Sequence, residues 1–127
     1  MYVCSPYSHP DPAVREHRYE AACRATAMLL RAGLTAFSPV VHSHPLTRHG
    51  LPSDWEFWQR YDRAHLEACT SVAVLMLDGW KKSEGVRAEI RIAFELGLPV
   101  FLIEPVRVGI RAKNVPAAGA QGTEVTT

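Results

Sequence analysis

The feature that most constrains the fold of this chain is a regular alternation of short apolar runs with longer helical patterns. The apolar runs cover residues 2–4, 34–37, 72–77 and 99–103. Continuous apolar runs are typical of parallel strands that are buried on both faces. Parallel strands need crossover connections, which helices supply on both sides of the sheet. The sequence therefore predicts an α/β fold, a three-layer flavodoxin-like or Rossmann-like parallel sheet with helices on both faces.

Start and stop signals mark the long helices. The predicted helices cover residues 12–32, 55–68 and 86–96. The first begins at Asp11-Pro12, where the aspartate can cap the helix and the proline occupies its first turn, and it ends before Gly33. The segment 41–52 contains three histidines, two prolines and a glycine, and this composition predicts a loop.

The chain is predicted to form one α/β domain over residues 1–104, followed by a C-terminal edge segment and flexible tail over residues 105–127. A chain of 127 residues can form one domain that buries about two-thirds of its unfolded surface. Residues 106–110 are predicted to form a short edge strand. Residues 117–122 are of low complexity, and we expect them to fray.

The composition argues against several classes of protein. Fourteen basic and thirteen acidic residues give a net charge of +1, whereas proteins that bind nucleic acid polymers normally carry a basic patch. No apolar run approaches the roughly 20 residues of a membrane span, and residues 1–5 do not resemble a signal peptide. The cysteines form no C-x-x-C pair and are predicted to be buried free thiols: Cys4, Cys23 and Cys69. These features predict a cytoplasmic protein that binds neither a nucleic acid polymer nor a membrane.

The candidate ligand site lies in the loops that follow the predicted strands, because ligands of open parallel sheets bind at the carboxyl ends of the strands. These loops cover residues 5–10, 38–53 and 78–85. In the last loop, Ser83 and Gly85 precede a helix and can offer a hydroxyl and backbone N–H groups to an anion. The same residues also fit an ordinary capped helix start, which needs no ligand.

Glu89 follows this loop in the next helix, where it shares a face with Val86 and Ala93. A carboxylate held in an apolar pocket can act as a nucleophile on an electrophilic carbon. The C1 atom of a sugar is the usual partner, because a nearby anion stabilises its oxocarbenium-like transition state. The alternative is a surface glutamate paired with one of its basic neighbours, Lys82, Arg87 or Arg91.

Two further residues can act with this glutamate. Asp62 lies in the helix before the third apolar run, and it can orient a nucleoside base or pass it a proton. It can equally be a solvated charge beside Arg60 and Arg63. Tyr2 begins the first apolar run, where it is either a core residue or a hydroxyl donor to a carboxylate.

The histidine-rich segment raises the question of a metal site. It contains His42, His44 and His49. Their spacing fits no zinc signature and the segment contains no cysteine, so we expect no metal ion there. The tryptophans at positions 55, 58 and 80 can pack between helices or stack on a base, and the sequence does not distinguish these roles.

Four stretches resemble the nucleoside 2-deoxyribosyltransferase-like superfamily, which includes nucleoside deoxyribosyltransferases and 2′-deoxynucleoside 5′-monophosphate N-glycosidases. They are Tyr2-Val3-Cys4-Ser5-Pro6, Asp62 with Leu66, Asp78-Gly79, and Ser83-x-Gly85-Val86-x-x-Glu89. The resemblance implies that Glu89 is the nucleophile and that Ser83 contacts a 5′-phosphate. It also implies that Asp62 lies near the base and sugar, and that Tyr2 lies against the nucleophile.

The chain also resembles a short branch of that superfamily that is catalogued as a domain of unknown function. In that branch three segments occur together, and here they read Ser5-Pro6-Tyr7-Ser8-His9, Ser38-Pro39-Val40-Val41-His42-Ser43-His44, and Asp78 through Glu89. The chain departs from the characterised enzymes in its first loop, which is not glycine-rich, and at residues 80–82, which are bulkier and more basic.

The sequence thus predicts an enzyme that cleaves or transfers the N-glycosidic bond of a nucleoside or nucleoside 5′-monophosphate, with no metal or organic cofactor. Glu89, Asp62 and Tyr2 are the predicted catalytic residues. The predicted substrate-binding residues are Ser5, Pro6, Tyr7, Asp78, Gly79, Ser83 and Gly85. The resemblance also implies a homo-oligomer, a dimer or tetramer. The alternative is a non-catalytic nucleotide-binding or signalling module on the same fold.

Overall fold

A computed structural model describes residues 1–107 and 122–125 of the chain. The elements are β1 (Tyr2–Cys4), α1 (Pro12–Arg31), α2 (Pro39–Thr47), α3 (Trp55–Ala68), β2 (Val72–Leu75), a 3₁₀ turn (Trp80–Lys82), α4 (Glu84–Glu95), β3 (Val100–Ile103) and β4 (Gly122–Val125). None of the helices in this described part is long and apolar enough to cross a membrane.

The sheet has the strand order β1-β2-β3-β4. The first three strands are parallel, with Tyr2 opposite Val72 and Val72 opposite Val100. The last strand runs antiparallel along the outer edge of β3. On the other side of β1, Phe37 forms an isolated parallel bridge to Tyr2.

Helices cover both faces of the sheet, because successive residues of each strand point to opposite sides. Tyr2 and Cys4 pack with α3 and α4, whereas Val3 packs with α1. All four residues of β2 are fully buried, as expected for a strand covered on both faces. The predicted three-layer α/β fold is therefore confirmed.

The strand predicted at residues 34–37 is not formed. The chain leaves α1 through Gly33 and makes only the Phe37 bridge, with Phe37 N–H donating to the Met1 carbonyl 2.9 Å away. Leu34, which should be buried in a strand covered on both faces, is 42% exposed. This run is short and lies at the sheet edge, and only Phe37 pairs with β1.

The loop predicted for residues 41–52 is also wrong over its first half, where α2 forms. Ser38 caps this helix by accepting a hydrogen bond from the Val41 N–H at 3.2 Å, and Pro39 occupies its first turn. Proline is well suited to that position because its fixed φ matches the helix and no N–H is needed. Pro45 falls in the last turn, where the sequence suggested a loop.

The C-terminal predictions are only partly covered by the structure. Residues 106–107 of the predicted edge strand lie in irregular backbone, and its remaining residues lie outside the described ranges. Residues 117–121 of the low-complexity segment also lie outside them. All three cysteines are free, but only Cys4 is buried, so the prediction of buried thiols is wrong for the partly exposed Cys23 and Cys69.

Candidate functional site

A cleft of about 380 Å³ opens at the carboxyl ends of β1 and β2, where an open α/β sheet is expected to bind ligands. Loops after both strands form two of its sides, and α2 and α3 complete it. Hydroxyls, carboxyls, cations and indole rings line it together, and they include Ser5, Tyr7, Arg18, Ser43, Trp55, Trp58, Asp62, Lys82, Ser83 and Glu89. This volume lies within the range of small-molecule sites.

Glu89 lies at the buried side of this cleft. Its side chain is 3% exposed, and the Tyr2 hydroxyl donates a hydrogen bond to its Oε2 atom. Burial raises the pKa of Glu89 well above its ordinary value, and the nearby negative charge of Asp62 raises it further. Hydrogen bonds from Tyr2 and Cys4 act in the opposite direction, since they stabilise the anion. The alternative of a surface glutamate is therefore wrong.

The two donors reach Glu89 from alternate positions of one strand. Tyr2 and Cys4 occupy the first and last residues of β1 and share its α3/α4 face. Burial raises the pKa of the Tyr2 phenol and of the Cys4 thiol, and the adjacent Glu89 adds to both effects. Both groups therefore keep their protons at neutral pH and act as donors to the carboxyl.

Asp62 lies on α3 and lines the same cleft. Burial raises its pKa from the ordinary value of 3.8 to about 7. Trp55 and Trp58 precede it by seven and four residues and also line the cleft, because these spacings place side chains on one face of a helix. The alternative of a fully solvated charge is therefore wrong for Asp62.

The part of the cleft lining formed by the loop after β2 and the start of α4 offers hydrogen-bond donors that suit an anion, next to the carboxylate of Glu84. Ser83 caps α4 by accepting a hydrogen bond from the Val86 N–H at 3.2 Å, which leaves its hydroxyl proton free to donate. The N-terminus of a twelve-residue helix carries partial positive charge. Arg18 and Lys82 also line this cleft.

Arg18 ties the two strand-end loops together. Its guanidinium donates to the Ser8 carbonyl at 2.9 Å and to the Asp78 carbonyl at 3.4 Å. Gly79 has a φ of +89°, and a Cβ added to it would lie 3.0 Å from the guanidinium. A larger residue would therefore strain the backbone and displace the arginine.

Most of the predicted site residues meet at the cleft. The lining contains Ser5, Tyr7, Asp62, Gly79, Ser83, Gly85 and Glu89. Tyr2 lies behind Glu89 rather than on the lining. Pro6 is fully buried, and Asp78 contributes its backbone carbonyl to Arg18, so neither lines the cleft. Among the described residues, the Ser5 hydroxyl oxygen is buried without a hydrogen-bond partner.

Sequence reasoning missed Arg18 and left Trp55 and Trp58 undecided. Arg18 lies in the middle of α1, where an arginine usually covers the helix surface, and no local signal distinguishes it. Within the described part of the chain, no group of three or more histidine, cysteine, aspartate or glutamate side chains is arranged to hold a metal ion.

Comparison with known proteins identifies the family of the chain but assigns it no activity. A family model described as a domain of unknown function (DUF1937) matches residues 1–105. The match covers most of the chain, which therefore belongs to this family. No curated protein matches the chain. Membership of a family of unknown function is thus confirmed, whereas the relation to nucleoside 2-deoxyribosyltransferase-like enzymes stays a prediction.

Proposed function

We propose that this protein cleaves or transfers the N-glycosidic bond of a nucleoside or nucleoside 5′-monophosphate, with Glu89 as the nucleophile. The observation that carries the proposal is the position of the Glu89 carboxyl, which is buried beside an open cleft and receives a hydrogen bond from Tyr2. A structural glutamate of α4 would not need a polar cleft next to it. The resemblance to the nucleoside 2-deoxyribosyltransferase-like superfamily supports the same role.

In the proposed first step, an ionised Glu89 oxygen forms a bond to C1′ while the C1′–N bond breaks. The bonding electron pair leaves with the base, which takes a proton from Asp62. Because burial raises the pKa of Asp62 to about 7, this carboxyl is about half protonated at neutral pH and is suited to general acid catalysis. Tyr2 and Cys4 act in favour of the ionised Glu89 that the step requires.

In the proposed second step, an acceptor attacks C1′ and the bond to Glu89 breaks. A water molecule as acceptor gives hydrolysis, and its proton passes to Asp62, which restores the starting state. A second base as acceptor gives transfer instead. No metal or organic cofactor takes part in either step.

The cleft lining contains two cations and a helix N-terminus that suit the phosphate of a 5′-monophosphate, beside the carboxylates of Asp54 and Glu84. Arg18, Lys82, the Ser83 hydroxyl and the N-terminus of α4 border the same space as Glu89. Phosphate groups bind well at a helix N-terminus, because free N–H groups and the helix dipole both favour an anion. Trp55 and Trp58 lie along the neighbouring helix face, and the half-buried Trp55 offers a surface on which a base can stack.

A non-catalytic nucleotide-binding or signalling module is the second candidate, and one observation favours it. Burial raises the pKa of Glu89, so the unliganded cleft favours its neutral form. A neutral carboxyl can donate a hydrogen bond to a ligand but is a poor nucleophile. Measured turnover therefore decides between the two candidates.

The test is incubation with a panel of nucleosides and their 5′-monophosphates, with free base followed by chromatography. We expect base release by the wild type and its loss in Glu89→Gln, because an amide can neither attack C1′ nor offset oxocarbenium charge. Glu95→Gln is the matched control, because Glu95 is an exposed glutamate at the C-terminal end of α4. If Glu89→Gln keeps more than about a tenth of the wild-type rate, Glu89 is not the nucleophile. A tenfold loss corresponds to an increase of only about 1.4 kcal/mol in the activation free energy.

A homo-oligomer, either a dimer or a tetramer, and a cytoplasmic location belong to the same proposal. The oligomer follows from the superfamily resemblance, and the location follows from the three free cysteines, which suit a reducing compartment. Sedimentation velocity measures the oligomeric state, and a monomer would contradict the proposal. Fractionation of the cells that make the protein measures its location.

A further inference from the structure

The histidine-rich segment contributes a side chain that the proposed reaction does not use. His44 lies on α2 and is 6% exposed. Its Nδ1 atom is 2.6 Å from the Tyr7 hydroxyl, and its Nε2 atom is 2.6 Å from Oε2 of Glu16. Tyr7 lines the cleft, whereas Glu16 is on α1 and reaches the surface. A continuous Tyr7–His44–Glu16 chain therefore runs from the cleft to the outside of the domain.

The two ends of this chain determine where its protons lie. A carboxylate can only accept hydrogen bonds, so the Nε2 atom of His44 must carry the proton that is shared with Glu16. In a neutral imidazole the Nδ1 atom is then an acceptor, and the Tyr7 hydroxyl is its donor. The Tyr7 proton is thus used in the hydrogen bond to His44. The Tyr7 oxygen can therefore only accept a hydrogen bond from any further partner.

Packing from two helices holds this arrangement in place. The Tyr19 ring stacks on His44 with centroids 4.3 Å apart, and the Tyr7 ring meets it edge-on at 5.4 Å. Tyr7 is 8% exposed and packs with Ala22 of α1 and Val40 of α2. The chain of hydrogen bonds is therefore rigid, and each bond polarises the next, which makes the Tyr7 oxygen a stronger acceptor.

A second observation in the same loop points to a ligand. Ser5 also lines the cleft, and among the described residues its buried hydroxyl oxygen has no partner. An unpaired buried hydroxyl is costly, so such a group in a native structure calls for a partner, such as a water molecule or a ligand. The loop after β1 thus contributes two hydroxyl-bearing side chains, Ser5 and Tyr7, to the lining of the cleft.

We propose that Tyr7 is a specificity-determining residue, and that its oxygen accepts a hydrogen bond from a sugar hydroxyl of the bound ligand. His44 and Glu16 are positioning residues, because they act on the ligand only through Tyr7. The inference rests on the proposed function for the class of ligand. It adds a residue that selects a hydroxyl-bearing sugar over its deoxy counterpart.

The experiment measures ligand affinity by calorimetry in the Glu89→Gln background, so that no turnover disturbs the titration. The probes are adenosine and uridine 5′-monophosphates with their 2′-deoxy and 3′-deoxy analogues. With Tyr7 present, either the 2′-deoxy or the 3′-deoxy analogue should bind about fivefold to tenfold more weakly than the parent nucleotide. This is the usual effect of one hydrogen bond. With Tyr7→Phe added, the hydroxylated and deoxy ligands should bind alike.

Matched variants separate this role from a structural one. Tyr61→Phe makes the same chemical change at an exposed position of α3 and should keep the preference. Glu16→Leu should reduce the preference by releasing His44. Glu16→Gln should keep the preference, because its amide oxygen still accepts a hydrogen bond from the Nε2 atom of His44. In the unliganded protein, ¹⁵N NMR should show His44 protonated at Nε2 and not at Nδ1.

Three results would overturn the inference: equal binding of hydroxylated and deoxy ligands with Tyr7 present, an unchanged preference in Tyr7→Phe, or a proton on Nδ1 of His44. Failure of the proposed function gives a different pattern. If a nucleotide binds with the expected preference but the wild type releases no base, the catalytic proposal fails while the role of Tyr7 stands. If no nucleotide binds, both fail.

Discussion

Replacement of Asp62 by asparagine should change how the stability of this protein depends on pH. In the native state burial raises the pKa of Asp62 from 3.8 to about 7. Between these two values the native carboxyl keeps its proton while the unfolded one loses it. The native state then binds more protons than the unfolded state, so the free energy of unfolding falls as pH rises. The stabilisation is complete below pH 3.8 and is lost by about pH 7.

The size of the effect follows from the same two values. A pKa difference of one corresponds to about 1.4 kcal/mol, so a rise from 3.8 to about 7 corresponds to an upper bound of about 4 kcal/mol. Asp62 is only half-buried, and solvent screening reduces this bound to about 2 to 3 kcal/mol. Asparagine does not titrate and lacks this dependence. Its neutral side chain also removes one cause of the raised pKa of Glu89, which flattens the curve further.

The assay is urea unfolding of the wild type and Asp62→Asn between pH 4 and 8, with the free energy of unfolding extrapolated to water. Relative to the wild type, the variant should gain stability steadily as pH rises. Glu67→Gln is the matched control, because Glu67 is exposed on the same helix and its pair with Arg63 at 3.6 Å contributes little. Parallel pH curves for wild type and Asp62→Asn would refute the reasoning.

Two further predictions concern the helix caps. Ser83→Ala should weaken binding of 5′-monophosphates more than of nucleosides, measured as the ratio of their KM values, because it removes the hydroxyl that we propose contacts the phosphate. Asp11→Ala removes the cap of α1 and should leave that ratio unchanged; an equal change in both variants would contradict the prediction. Ser38→Ala should lower the free energy of unfolding by about 1 kcal/mol, since it removes the cap of α2. Chemical denaturation measures this, and an unchanged midpoint would count against the capping role.

Local patterns in the sequence determined the architecture and the place of the site. Buried parallel strands need continuous apolar runs, and helices need a period of 3.6 residues, so both can be recognised within a few neighbouring positions. The parallel order of β1, β2 and β3 then predicts a ligand site at their carboxyl ends, and the cleft lies at the ends of β1 and β2. The spacing from Ser83 to Glu89 likewise depends only on one helix start, and both side chains line the cleft.

Local patterns also misled where two interpretations compete. Ser38-Pro39 has the same cap-and-proline pattern as Asp11-Pro12, yet the histidines, prolines and glycine of residues 41–52 indicate a loop at the same place. The run at residues 34–37 has strand-like composition, but only Phe37 forms a bridge. A strand at the sheet edge depends on partners distant in sequence, which composition does not reveal.

Only the tertiary structure decided which side chains meet. Tyr2 and Glu89 are 87 positions apart in the chain, and Tyr7, His44 and Glu16 come from the loop after β1, from α2 and from α1. Arg18 joins the loops after β1 and β2 although it lies in the middle of α1. Burial raises the pKa values of Glu89 and Asp62 only after the helices pack on the sheet, because desolvation depends on neighbours brought together by the fold and not on those adjacent in sequence.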